Sequence, residues 1–371
     1  MKRILHISNY YPPHIGGIED VCCSIATGLS GYNHQVICFN GKKTDEAGIY
    51  EGIRVIRCGT VQKLFSQPIS ISFYRHLKNL FAGFKPDIVH FHAPNPLGSV
   101  YLLNLIPEYA GLIVHWHSDI VEQGFLYTFY RSIEKKLLQR ADKILVTSPA
   151  YASASKPLSF WKNKLHVIPN TVNTRKLTLK EGDVQAIEKI RNRYAGKKIV
   201  FTFGRHVPYK GLACLIKAIP HISPECVVVI AGSGLLTERL KKMSGAPNLY
   251  FTGKLDDTEL RRYLYASCLF AFPSITRNEA FGIALAEAMY CGLPAVTFTV
   301  PASGVNWVCI DRETGLESEN GNSKAMAEAI NRLLDDSGLR EKLGANAAKR
   351  VREFFVMEAI ENDLKQIYNN L

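Results

Sequence analysis

Four short stretches of this 371-residue chain combine charged side chains with glycine in patterns suited to holding an anion and a polyol. In "TFGRHVPYKG" (202–211), Arg205 and Lys210 share a loop bounded by Gly204 and Gly211. Two cations there would clamp a diphosphate, the guanidinium as a planar fork and the ammonium as a point charge. In "RNEAFGIALAEAM" (277–289), Glu279 and Glu287 flank an apolar run. On one continuous helix their eight-residue spacing would leave them roughly 80° apart, too divergent for a tight pair. A break at Gly282 is the better reading, with Glu279 on a loop and a helix starting near Ile283. The free N–H groups of Phe281, Gly282 and Ile283 would then face a phosphate. Glu279 would accept hydrogen bonds from a sugar ring, and Glu287, a turn later, from a ribose diol.

The other two stretches lie in the first half of the chain. "SNYYPPHIGGIED" (8–20) ends in Gly16-Gly17 just before a helical pattern, where glycine lets the backbone approach an anion. In the triplet "HSD" (117–119), after the apolar run "LIVHW", His117 is placed to hydrogen-bond a sugar hydroxyl. Asp119 would orient it or accept a proton, and Ser118 lies between them. Neither GxGxxG nor GxxxxGK[ST] occurs, which removes support for dinucleotide and P-loop readings.

The elements that must position these residues are parallel strands. Short β-branched runs each followed by a helical pattern recur at 3–8, 34–39, 87–92, 112–116, 143–148 and 165–169. They resume at 198–204, 226–232, 249–253, 268–274 and 294–299. Continuous apolar runs separated by helices are strands buried on both faces, so the chain reads as two doubly wound α/β domains. Such sheets bind ligands outside their carboxyl ends, and two that face each other make a cleft. The linker falls near 169–180, giving domains at 1–168 and 169–352 and a closing helix at 353–371.

Composition narrows the partners. A net charge of +12 calls for an anion: nucleic acid, an acidic membrane surface or a phosphorylated small ligand. The segment 72–86 mixes Phe73, Leu77, Leu80, Phe81 and Phe84 with Arg75, His76, Lys78 and Lys85. That mixture suits an interfacial helix on an anionic membrane, although an amphipathic helix packed on a sheet is the preferred reading. No apolar stretch is long enough to span a bilayer, and none near the start makes a secretory leader. Nine cysteines without CxxC or zinc spacing fit free thiols in a reducing cytoplasm. Nucleic acid is disfavoured because 72–86 is the one segment that interleaves basic and aromatic residues.

With these residues in place, the chain resembles the retaining, nucleotide-sugar-dependent glycosyltransferases of family 4. These have the GT-B fold: two Rossmann-like domains facing across a cleft. The resemblance is carried by the Gly-Gly loop, "HSD", "PNTVNT" (169–174), "GRHVPYKG", "AGSG" (231–234) and "EAFGIALAEAMYCGLPAV" (279–296). "HWHSDIV" is most similar to bacterial polysaccharide and lipopolysaccharide mannosyl- and related transferases. The resemblance implies that Arg205 and Lys210 bind the donor diphosphate, with Gly204 beside them. Glu279 and the amides of Phe281, Gly282 and Ile283 would hold the transferred sugar, and Glu287 the ribose. His117 would contact the sugar near the reacting carbon, Gly16-Gly17 would lie close to phosphates or acceptor, and Ser118 and Asp119 would touch sugar or acceptor. It also implies no cofactor and no metal, and the sequence has no D-x-D. Departures are Thr171 and Asn173, where the family more often has Gly and Asp, and Leu235-Leu236, where it often has an acid.

The implied reaction moves a hexose, with GDP-mannose favoured over a UDP-sugar, onto a carbohydrate or polyprenyl-linked saccharide for cell-surface polysaccharide. The enzyme would be cytoplasmic, at the inner face of the membrane. No carboxylate clearly occupies the place of a nucleophile, so front-face attack is favoured over double displacement. The alternatives are a nucleotide-sugar epimerase of similar shape, which would convert donor without acceptor, and a non-catalytic anion-binding protein.

Overall fold

The computed structural model describes the chain apart from Ile15, Phe65, Ser66, residues 121–123 and Ser244. It divides into two compact units, Met1–Thr171 with Met357–Leu371, and Val172–Val356. The division falls three or four residues beyond the boundaries expected from sequence. The closing helix Met357–Asn369 belongs to the first unit, where Lys2 Nζ donates to the Tyr368 carbonyl at 3.0 Å.

The first unit holds strands β1 (Arg3–Ile7), β2 (Asn33–Phe39), β3 (Glu46–Tyr50), β4 (Ile53–Cys58), β5 (Gln62–Leu64), β6 (Gln67–Ile69), β7 (Ile88–Ala93), β8 (Gly111–Trp116), β9 (Lys143–Val146) and β10 (Leu165–Val167). Eight of these form one sheet in the order β10-β9-β8-β7-β1-β2-β4-β3, parallel except for the edge pair β3·β4. β5 and β6 make a separate antiparallel hairpin. Strand order reverses between β1 and β7, and a doubly wound sheet opens its ligand crevice at that switch point. The expected amphipathic segment is the helix Ile71–Gly83, capped by Ser70 Oγ accepting from the Phe73 N–H. Its Phe73, Leu77, Leu80 and Phe81 are buried in the unit, so this apolar face is spent on packing and not on lipid. At about 1.5–3 kcal/mol for each buried large apolar side chain, that packing holds the helix on the sheet.

The second unit holds β11 (Lys198–Phe203), β12 (Cys226–Ala231), β13 (Leu249–Gly253), β14 (Leu269–Phe272), β15 (Ala295–Phe298) and β16 (Gly315–Ser318). They form an all-parallel sheet in the order β13-β12-β11-β14-β15-β16, with the reversal between β11 and β14. Every residue of β12, β14 and β15 is buried, which is why each reads as an unbroken apolar run. Among the described residues no helix is long and apolar enough to cross a membrane.

Candidate active site

In the second unit the site is built at the carboxyl ends of β11 and β14. Gly204 follows β11 at φ +149°, and Gly232 follows β12 so closely that a Cβ on it would lie 2.0 Å from the Gly204 carbonyl oxygen. The loop after Gly204 closes through a short helical turn, Pro208–Lys210, into Gly211 at φ +60°. A Cβ on Gly211 would stand 1.9 Å from the Pro273 carbonyl oxygen, and the Ile275 N–H donates to the Tyr209 carbonyl at 2.9 Å. Glycine is required here because two backbones touch. That contact fixes the cationic loop against the loop carrying Glu279.

The outcome is a direct ion pair, Lys210 Nζ to Glu279 Oε2 at 2.5 Å, with both side chains largely buried. Ser274 Oγ donates to the same carboxylate oxygen at 3.1 Å, and Ser303 Oγ donates to the Glu279 main-chain carbonyl. Lys210 Nζ also lies 5.1 Å from the Phe272 ring centre. Arg205 is exposed, and its Nη2 donates to the Tyr209 hydroxyl at 3.0 Å. A recess lined by Gly204, Arg205, Lys210, Pro273 and Ser274 opens beside them. Sequence reasoning missed Tyr209, Ser274 and Ser303, which carry no motif signal and are recruited by the fold.

The helix Ile283–Tyr290 begins where the Gly break places it, with Gly282 at φ +93° and no side chain capping that end. Phe281 is buried edge-on against Phe355, which pins the turn. The start of this helix therefore follows the loop that carries Glu279, and Glu287 sits half-buried a turn further on. A cation fork, a buried ammonium–carboxylate pair and a helix start can hold a diphosphate joined to a polyol.

In the first unit, His117 follows β8 and is buried. Its main-chain N–H donates to the Ala93 carbonyl at 3.0 Å, next to the switch point. Its Nε2 meets His92 Nδ1 at 3.0 Å. Burial draws its pKa down to about 3, with neighbouring Asn170 opposing the shift, so the ring is neutral. The expected orientation of His117 by Asp119 is corrected: Asp119 Oδ1 accepts from Trp116 Nε1 at 2.8 Å and from Ser155 Oγ at 2.6 Å, and His92 takes the orienting place. Ser118 is half-buried. Gly16 and Gly17 open the helix Gly17–Gly28. Glu19 folds back over them, since a Cβ on Gly16 would lie 2.2 Å from its Oε2. An anion at this helix start would meet that carboxylate first.

Two doubly wound α/β units in tandem, each with its strand-order reversal, are the architecture of the GT-B fold. The comparisons agree in each half. Residues 15–176 match the Glycosyltransferase Family 4 model, and residues 183–350 match that of Glycosyl transferases group 1. The chain belongs to the family 4, group 1 glycosyltransferases. It is 29% identical to the O-antigen chain mannosyltransferase C of Escherichia coli, across all of this chain and 98% of that one. It is likewise 29% identical to the D-rhamnosyltransferase WbpZ of Pseudomonas aeruginosa, across 95% of this chain and 92% of that one. In fold it is similar to Anabaena HepE, solved with UDP and glucose, at a TM-score of 0.81, 20% identity and full coverage of both chains.

Proposed function

We propose that this chain is a retaining, metal-independent hexosyltransferase. It would move a hexose from a nucleotide-diphosphate sugar, GDP-mannose first among candidates, to a saccharide or lipid-linked saccharide in cell-surface polysaccharide synthesis. The observation that carries the reading is the buried Lys210–Glu279 pair beside Arg205 at the switch point of the second sheet. The full-length similarity to an O-antigen mannosyltransferase supports the choice of sugar class and pathway.

In this reading Arg205 and Lys210 take the donor diphosphate. As the bond from the anomeric carbon to the phosphate oxygen breaks, its electron pair passes to that oxygen and the two cations stabilise the charge. The acceptor hydroxyl attacks from the same face and gives its proton to the departing phosphate. Glu279 accepts from the sugar hydroxyls while holding Lys210 Nζ in place, Glu287 accepts from the ribose, and His117 contacts the sugar. The helix start at Phe281, Gly282 and Ile283 and the two cations supply the positive field that a metal provides elsewhere.

The test is thermal melting against UDP, GDP, ADP and their hexose conjugates. A rise of a few degrees with one nucleotide class is expected. GDP and GDP-mannose acting together support the favoured donor, UDP compounds alone would reassign it, and no shift with any of them would overturn the reading.

A further inference from the structure

Six histidines, His6, His34, His90, His92, His115 and His117, are buried together in the first unit, on or just beyond strands β1, β2, β7 and β8. The parallel register pairs His6 with His90 and His92 with His115, and the period-two spacing aims the set at one face of the sheet. Four of them form a continuous hydrogen-bonded line. His34 Nε2 meets the Leu29 carbonyl at 3.0 Å, and His34 Nδ1 meets His6 Nε2 at 3.0 Å. His6 Nδ1 meets His92 Nε2 at 3.4 Å, and His92 Nδ1 meets His117 Nε2 at 3.0 Å.

Burial lowers the pKa of every ring in the line, so each is neutral, with one N–H donor and one bare acceptor nitrogen. A carbonyl oxygen only accepts, so His34 must carry its proton on Nε2 and leave Nδ1 bare. His6 must then donate from Nε2, His92 from Nε2, and His117 from Nε2. The polarity is set at Leu29 and has no alternative as long as every link is made. The far end is His117 Nδ1, buried beside the Asn170 side chain without a hydrogen bond of good geometry; with the line fully made, Nδ1 is bare and can only accept, from the Asn170 amide N–H or another donor.

We infer that this line is a tautomer lock: His34, His6 and His92 are positioning residues that hold His117 as its Nε2–H form. His117 Nδ1 is thereby kept as a bare acceptor nitrogen beside Asn170. A proton conduit is a poorer description, because the line ends on a carbonyl that has no proton to exchange. Two groups in this array, His6 with Cys22 and His92, and His90 with His92 and His115, are close enough to share a metal ion. In either group a metal would take a nitrogen of His92 from the line just described, and in the first it would also displace a proton that burial holds on the Cys22 thiol. The lock accounts for the nitrogens without that cost. What it does for catalysis rests on the sugar-contacting role proposed for His117, whereas the tautomer itself does not.

The test is long-range proton–nitrogen NMR on the histidine-labelled full chain at neutral pH, with single His→Gln variants for assignment. His34, His6, His92 and His117 are each expected as the neutral Nε2–H form. A charged, Nδ1–H or averaged His117 would overturn the lock. In His34→Phe, melting as a folded protein, His117 is expected to become a tautomer mixture, with kcat down about ten-fold or more and donor KM within about two-fold. His34→Gln, which can both accept from His6 and donate to Leu29, is expected to restore the tautomer and the rate. An unmoved His117 spectrum in folded His34→Phe would also overturn the lock. Near-normal turnover of His117→Ala would instead sink the sugar-contacting role and leave the spectral result standing.

Discussion

Lys210 Nζ and Glu279 Oε2 stand 2.5 Å apart in the second unit, joined across two loops that meet only because Gly211 has no side chain. The pair neutralises itself before any donor arrives. Glu279→Gln would free Lys210 for the diphosphate and remove an acceptor for the sugar. Nucleoside diphosphate should therefore bind at least as tightly as to the parent chain, while transfer falls by about 10²-fold. Calorimetric titration and initial rates separate the two effects, and parallel loss of both would speak against this division of labour.

Gly211→Ala tests how the pair is assembled. The added methyl would meet the Pro273 carbonyl oxygen and adopt a left-handed φ. A loss of roughly 2–4 kcal/mol in the second unit is expected, combining steric displacement with the left-handed penalty. Denaturant unfolding measures it, and the donor-induced rise in melting temperature should disappear in the same variant.

The histidine array makes the first unit sensitive to acid. Its rings stay neutral when folded, with the pKa of His34 drawn to about 4 and that of His117 to about 3. The unfolded chain takes up their protons near the ordinary value of about 6.5. Stability is thus complete above that pH and is lost as pH falls through the window down to the folded values. Each histidine contributes a slope of about 1.4 kcal/mol per pH unit in that window. Urea unfolding between pH 8 and 5 should show this loss, and each His→Gln substitution should reduce the slope by up to one proton. A flat profile would contradict neutral burial.

Glu134 has the opposite sign. Burial raises its carboxyl to about 7, with the Tyr127 hydroxyl donating to Oε2 at 2.8 Å and opposing the shift. The folded form holds its proton after the unfolded form has lost it, so stability falls as pH rises from about 4.5 to about 7 and then levels. Glu134→Gln should be more stable than the parent at pH 8, by up to about 3 kcal/mol, with the advantage vanishing toward pH 4.5. Melting the two proteins across that range checks the sign.

How much was legible in the sequence follows from which forces are local. Strands such as Cys226–Ala231 read as apolar runs because both faces are buried. The antiparallel edge strand Glu46–Tyr50 is almost wholly exposed, and Gly315–Ser318 reads GLES with a single large apolar residue, so neither carries a usable pattern. Arg205, Lys210 and Glu279 were each visible as residues, but the contact between Lys210 and Glu279 depends on the backbone approach at Gly211. The histidines stood in plain view in "DIVHFH" and "LIVHW". Their line was hidden because it requires knowing that β1 lies between β2 and β7. The assignment of Asp119 to His117 failed for a related reason: sequence proximity suggested a partner that Trp116 and Ser155 had already engaged.

In the proposed reaction the two cations of the second unit, Arg205 and Lys210, take the charge of the departing diphosphate. The sharpest test of that role is the rate of hexose transfer by the Arg205→Ala, Lys210→Ala double variant, using the donor that stabilises the parent chain. A fall of about 10³-fold or more is expected in a protein that still folds, since two preorganised charges are lost from the departing diphosphate. Turnover within a few-fold of the parent would contradict the assignment of this site.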